Sequence, residues 1–276
     1  MDVLGSLREA LSRDCYRLDR GEVEDLVGRF SVDTETLLRA LVDFGKGRAR
    51  ADISQFYVGT AGLTESGEIF MGVNLEYGEA SFAQTVHAEQ FLASWTRACS
   101  ASPLIAIAVS APPCGHCRQF LREADPAGEI RLLIGTEPGV KASELLPRAF
   151  TPLDLGVEEP FLSGPLVLEG ADLEEAARRA AEHSYTPYSK MKAGVAVRLD
   201  DGRIFAGSAL ENAAYNPTLP PLQAALVACH ANSAPVDQIR EVVLCEGRSP
   251  IRYEGQTRVL AQALGVPSDS LRVISA

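Results

Sequence analysis

The sequence predicts a duplicated α/β fold, three-layered α/β/α with a mixed sheet in each half, preceded by a helical N-terminal extension. Three observations carry that expectation. Strands alternate with helices through the first half, the same pattern returns in the second half, and the opening residues read as helix throughout.

The helical opening runs from about Val3 to Val42. Apolar residues recur there at three- and four-residue spacing in VLGSLREAL and again in TETLLRALVDF, with Ser31 or Asp33 available as an N-cap. From Ser54 the texture changes to short alternating runs, FYVGTAGL and EIFMGVNL, separated by the turn signal ESG. That pattern predicts a hairpin. A helical run TVHAEQFLASWTRA follows, then the apolar strand LIAIAVS, the segment PPCGHC, the helix CRQFLREA and a closing strand IRLLIG. Residues 138–165, rich in proline and glycine, read as a connection containing one short helix.

A shift of 135 residues aligns SQFYVGTAGLTESGEIFMGVNLE (54–76) with SKMKAGVAVRLDDGRIFAGSALE (189–211) without a gap. Serine, the turn glycine, Ile-Phe, a further glycine and the final Leu-Glu coincide, which marks an internal duplication. The repeat has lost something specific. TVHAEQ is matched by TLPPLQ, so His87 faces Pro220 and Glu89 faces Leu222; CGHCR is matched by EGQTR, so Cys114 faces Glu254 and Cys117 faces Thr257. The predicted organisation is a helical region at 1–47, a working core at 48–150, a linker at 151–165 and a degenerate core at 166–276.

Bulk properties narrow the function. The 276 residues carry a net charge of −11 and no obvious Lys/Arg cluster, which disfavours long nucleic acid and suits a small uncharged ligand. No run of eighteen apolar residues suggests a membrane span, and MDVLGSLREALSRD lacks a signal-peptide core, so the expected compartment is the cytoplasm. Of six cysteines, Cys15, Cys99, Cys229 and Cys245 are scattered and read as small buried hydrophobes, whereas Cys114 and Cys117 form a close pair.

The chemistry concentrates in His-x-Glu at 87–89 and Pro-Cys-x-x-Cys at 113–117. One histidine and two cysteines give zinc three protein ligands and leave a fourth position open, as a catalytic site requires. Cys114 and Cys117 fall at the predicted start of a helix, where free N–H groups and the helix dipole favour thiolates. Glu89, two residues beyond His87, is near the metal without being needed as a ligand, and a carboxylate there suits proton transfer. Alone, the Cys-x-x-Cys pair could equally be a redox pair or half of a structural zinc site.

Together these residues match the signature of zinc nucleobase deaminases. The chain resembles the cytidine deaminases, in their two-domain homodimeric form, through SQFYVG, MGVNLE, TVHAEQ, PPCGHCRQFL and LLPRAFTPLDL, and through SYTPYSK and LENAAYN in the second half. The resemblance implies one Zn²⁺ per chain on His87, Cys114 and Cys117, with water or hydroxide as the fourth ligand. It implies a nucleoside substrate attacked at C4, with Glu89 carrying the proton to N3 and then to the departing amine. Asn74 and Glu76 would bind the ribose 3′-hydroxyl, and Phe56 would pack beside the nucleoside. The backbone of Ala88 would hold the base carbonyl, the carbonyl of Pro112 would face the amino group, and Phe150 would stack on the ring, across a subunit boundary. Arg118 and Gln119 are placed to donate to the thiolates. Glu211 preserves the counterpart of Glu76 in the degenerate copy, a sign that this glutamate also has a structural use. Rival readings are a deaminase of cytosine in RNA or DNA, a deaminase of a nucleoside antibiotic, and a zinc-stabilised binding protein without turnover.

Overall fold

The computed structural model describes residues 16–100 and 102–276. The helix expected from Val3, and Cys15, lie largely or wholly outside them. The chain then runs β1 (Arg17–Leu18), α1 (Arg20–Phe30), α2 (Thr34–Lys46), β2 (Gly59–Thr64), β3 (Ile69–Val73), α3 (Ala88–Cys99), β4 (Leu104–Val109), α4 (Gly115–Ala124), β5 (Arg131–Ile134), β6 (Val140–Lys141) and α5 (Ala142–Leu145). The second half follows as α6 (Leu173–Glu182), β7 (Ala193–Leu199), β8 (Ile204–Ser208), α7 (Pro221–Ala231), β9 (Ile239–Glu246), α8 (Glu254–Ala263) and β10 (Leu271–Ser275).

Two mixed sheets result, in the orders β1-β3-β2-β4-β5-β6 and β10-β9-β7-β8. The shared core of each is a hairpin, an antiparallel third strand and a parallel fourth. The duplication reaches into detail. Gly67 and Gly202 turn the two hairpins at φ +90° and +87°, a conformation that costs glycine nothing. A register shift falls at Leu63/Thr64 in one sheet and at Arg198/Leu199 in the other.

Two pairs of glycines set the helix layers. A Cβ on Gly59 would lie 2.3 Å from the Val42 carbonyl oxygen, and one on Gly194 would lie 2.2 Å from the Ala181 nitrogen. So α2 and α6 rest on equivalent faces, backbone against backbone. The boundary expected at 47/48 falls between α2 and the sheet that it covers. Asp33, not Ser31, caps α2, accepting from Thr36 N at 2.7 Å; Ser31 ends α1 in the left-handed region. On the opposite faces, Gly72 receives α3 and Gly207 receives α7 in the same manner.

The α3 and α7 layers meet, so the two halves share one apolar core. Reciprocal glutamines tie them: Gln90 donates to the Pro217 carbonyl at 3.1 Å, and Gln223 to the Ala83 carbonyl at 3.4 Å. Glu123, buried at the end of α4, accepts from the hydroxyls of Tyr185 and Tyr188 and from Ala213 N, all three in the second half. Phe161, from the stretch expected to be a linker, is buried between Phe120 and Tyr185, so this connection packs into the seam.

Glu123→Ala is expected to lower stability by about 3 kcal/mol, because it strands buried donors worth roughly 1–3 kcal/mol each. Chemical denaturation measures it. Burial raises the Glu123 carboxyl above the usual glutamate range. A raised acid contributes most below its unfolded pKa and loses that contribution as pH climbs through the folded value, so seam stability should decline in that direction.

Candidate active site

Two helix starts and one strand end build the site. Leu75 and Val86 exchange backbone hydrogen bonds at 2.9 Å in an antiparallel bridge, which brings the end of the hairpin strand that carries Asn74 and Glu76 beside the segment leading into His87. His87 is the N-cap of α3, with φ −76° and ψ 153°, so its ring leaves the helix axis while Ala88 and Glu89 form the first turn. Cys114 is the N-cap of α4, and Cys117 lies one turn in.

The Nδ1 atom of His87 is 3.6 Å from Cys114 Sγ and 3.4 Å from Cys117 Sγ, and the two sulfurs are 3.5 Å apart. A tetrahedral zinc needs about 3.8 Å between sulfurs and about 3.6 Å between sulfur and nitrogen, from bonds of about 2.3 and 2.1 Å. The three ligand atoms thus stand at zinc spacing, and they form the metal-binding group found among the described residues. Their chemistry fits as well as their distances, since two sulfurs and an imidazole suit zinc. The fourth corner has no protein ligand in that group.

Charge agrees with this geometry. Hydrogen bonds from Cys117 and His87 hold the Cys114 thiol far below its usual range, and the Cys114 partnership raises the His87 imidazole. Glu89 is buried, and its Oε2 is 3.1 Å from Cys117 Sγ. Burial pushes its carboxyl above the usual range, so the group is disposed to take up a proton.

The residues expected around the ligand are near but differently engaged. Phe56 is 59% exposed and Phe150 is 46% exposed, which excludes plain core packing for both. Asn74 donates from Nδ2 to the Phe56 carbonyl at 2.9 Å and accepts at Oδ1 from Val58 N at 2.8 Å. Glu76 accepts from Ile53 N, Ser54 N and the Ser54 hydroxyl. Both side chains therefore clamp the loop that carries Phe56. Glu211 does the same for Tyr188 N, Ser189 N and the Ser189 hydroxyl in the second half, which gives the glutamate its structural use. Ala88 is buried and Pro112 is exposed at the rim.

Residues 33–131 and 142–258 each match a family model described as the cytidine and deoxycytidylate deaminase zinc-binding region. The cytidine deaminases of Yersinia pestis (strain Pestoides F) and Yersinia pseudotuberculosis serotype O:1b (strain IP 31758) are each 36% identical over 241 residues, covering 85% of this chain and 81% of theirs. This chain belongs to the cytidine deaminase family. Among solved structures, cytidine deaminase from Mycobacterium leprae is 27% identical, covers 42% of this chain and 99% of its own, and superposes with a TM-score of 0.39. That from Burkholderia pseudomallei is 28% identical, covers 43% and 100%, and has a TM-score of 0.38.

Family members are zinc-binding hydrolases, and the His87–Cys114–Cys117 cluster supplies this deaminase with the matching ligand set. The expected donation from Arg118 and Gln119 to the thiolates is corrected by the structure. Arg118 donates to the Pro113 and Leu145 carbonyls at 2.8 and 3.0 Å, and Gln119 to the Phe150 carbonyl at 2.7 Å. Both long side chains end on backbone carbonyls near the site and are engaged there.

Three participants escaped the sequence reading of this deaminase. His116 stacks on His87 with ring centroids 5.1 Å apart. Gly72 lets the start of α3 touch the sheet, and Ser54 completes the Glu76 clamp. Gly72 and Ser54 did carry a signal, since both coincide with Gly207 and Ser189 in the repeat. In the degenerate half, α7 takes Pro220 as its N-cap where α3 has His87, and Leu222 and Thr257 are buried opposite Glu89 and Cys117.

Proposed function

We propose that this chain hydrolyses cytidine and 2′-deoxycytidine to uridine and 2′-deoxyuridine, breaking the C4–N bond, forming a C4–O bond and releasing ammonia. The observation that carries this reading is a buried Glu89 carboxyl in contact with a zinc-spaced His/Cys/Cys cluster. Zinc, when bound, supplies the Lewis acidity that makes water nucleophilic near neutral pH. Glu89 takes the proton from water, delivers it to N3 and then serves the leaving amine. The N–H of Ala88, in the first turn of α3, has no intrahelical partner and is free to hold the base carbonyl. The Pro112 carbonyl faces the amino group.

Asn74 and Glu76 keep capacity for a ribose hydroxyl. One amide hydrogen and one lone pair of Asn74 remain after the loop bonds, and the Glu76 carboxylate has about four acceptor positions with three filled. Glu76→Ala and Glu211→Ala should therefore lose comparable stability, about 2 kcal/mol. Only Glu76→Ala should raise KM, by about tenfold or more for a lost charged hydrogen bond. Steady-state kinetics beside thermal unfolding separates the two effects.

Phe56 and Phe150 stand open at the rim, which supports a homodimer whose second chain closes the site. Light scattering tests it, and a purely monomeric mass would overturn it. Among the described residues no helix is long and apolar enough to cross a membrane. With the acidic charge, this supports a cytoplasmic enzyme of pyrimidine nucleoside salvage rather than one acting on polynucleotides. The decisive assay follows the ultraviolet change as cytidine becomes uridine. Silence from zinc-loaded protein would turn attention to other cytosine compounds.

A further inference from the structure

Arg97 lies in the last turn of α3, against the second half of the chain, and is only 3% exposed. Its Nη2 donates to the His183 carbonyl at 2.6 Å, while Nε and Nη1 are buried without a hydrogen-bond partner. Among the described residues it forms no ion pair; Glu159 acts on it only at longer range. The rings of Phe161 and Tyr185 flank it at 5.6 and 5.9 Å, which offers the charge a π-face but no acceptor for its N–H groups. Burial draws the guanidinium down to about 10.

The internal repeat shows what a purely structural residue looks like here. His230 is the counterpart of Arg97, and Arg48 is the counterpart of His183. His230 donates to the Arg48 carbonyl at 3.0 Å, the same bond in the other half, and carries no surplus donors of this kind. Arginine at 97 therefore brings two buried donors and a full charge beyond what the shared contact uses.

Beside it is a small, partly open cavity of about 20 Å³, lined by Arg97, Trp95, Ser94, Leu166, His183 and Ser208 among others. That is room for one water-sized body. Trp95 Nε1 is a further buried donor without a partner. His183 is not the counter-charge, because its ring nitrogens face the Gly164 carbonyl and the Ser208 hydroxyl. The surroundings thus supply positive charge and unmatched donors to a space that suits a single small ion. Water would accept hydrogen bonds but leave the buried charge uncompensated.

We propose that the cavity at Arg97 is a binding site for a single monatomic anion, chloride or bromide, held in the seam between the working and degenerate halves. The connection at 164–166 covers it, since Leu166 N donates to the Ala98 carbonyl at 3.0 Å. An anion there would strengthen the union of the halves without touching the zinc cluster.

The test uses the full chain with gluconate replaced by chloride or bromide at constant ionic strength. Tm should rise saturably with either halide and not with sulfate. Crystals grown in bromide should show an anomalous peak at hydrogen-bonding distance from Arg97 Nε or Nη1. Arg97→His, which borrows the residue of the other half, should fold, keep deaminase activity and lose both the halide shift and the peak. Only water at Arg97 in bromide crystals, or an equal halide shift in wild type and Arg97→His, would overturn the proposal.

Discussion

Glu89→Gln is expected to keep its zinc and lose deamination by about a hundred- to ten-thousandfold, the range typical of a removed general acid–base group. The substitution preserves shape and one hydrogen-bonding oxygen, so the helix start is undisturbed. It removes the ability to accept a proton and return it, which the buried carboxyl beside Cys117 is disposed to do. Because Glu89 is not among the three zinc-spaced ligands, metal content should match wild type by elemental analysis. The loss should fall on kcat, since proton transfer belongs to the transition state more than to binding. A variant that retains zinc and turns over at the wild-type rate would remove Glu89 from the mechanism. A zinc-free variant would instead move Glu89 into the metal site.

Gly72→Ala should be among the most damaging single-methyl changes in the chain. Its Cβ would lie 2.5 Å from the Ala88 carbonyl oxygen and 2.7 Å from Leu92 N, so α3 must shift away from the sheet. Overpacking of this kind costs about 1–3 kcal/mol, and more when backbone must move. Gly207→Ala imposes the same conflict on α7, with contacts at 2.0 Å to Ala225 N and 2.3 Å to Ala224 C. Both variants should melt at lower temperature. Gly72→Ala should also cut activity in the protein that remains folded, because α3 carries His87 and Glu89 and a misplacement of about 1 Å costs on the order of a hundredfold. Thermal unfolding together with single-turnover kinetics distinguishes strain in the scaffold from displacement of the site. Equal loss of activity in the two variants would show that α3 does not set the site's geometry alone.

The metal site was legible because its signal is local. Cys114 and Cys117 are one helical turn apart, His87 and Glu89 two residues apart, and residue identity nearly dictates the ligand set once both pairs sit at helix starts. The hairpins and the duplication were legible for a related reason: turn glycines and period-two apolar runs survive in both copies even where chemistry was lost. Long side chains gave no such guidance. Arg118 and Gln119 follow Cys117 directly, yet they end on the carbonyls of Leu145, at the end of α5, and of Phe150 beyond it, whose positions depend on packing far from them in sequence. Likewise α2 looked like part of a preface until Gly59 showed how closely it lies on the sheet.

By itself, then, the sequence determined the two α/β cores, the loss of ligands in the second and the identity of the zinc-spaced cluster, because each rests on short-range spacing or on residue chemistry. Only the tertiary structure decided that Asn74 and Glu76 clamp the Phe56 loop, that Phe56 and Phe150 stand exposed, and that Glu123 and Arg97 are buried in the seam. Those outcomes depend on which distant backbone donors and acceptors arrive beside a side chain. That is fixed when the two sheets and their helix layers pack together, and no spacing along the chain encodes it.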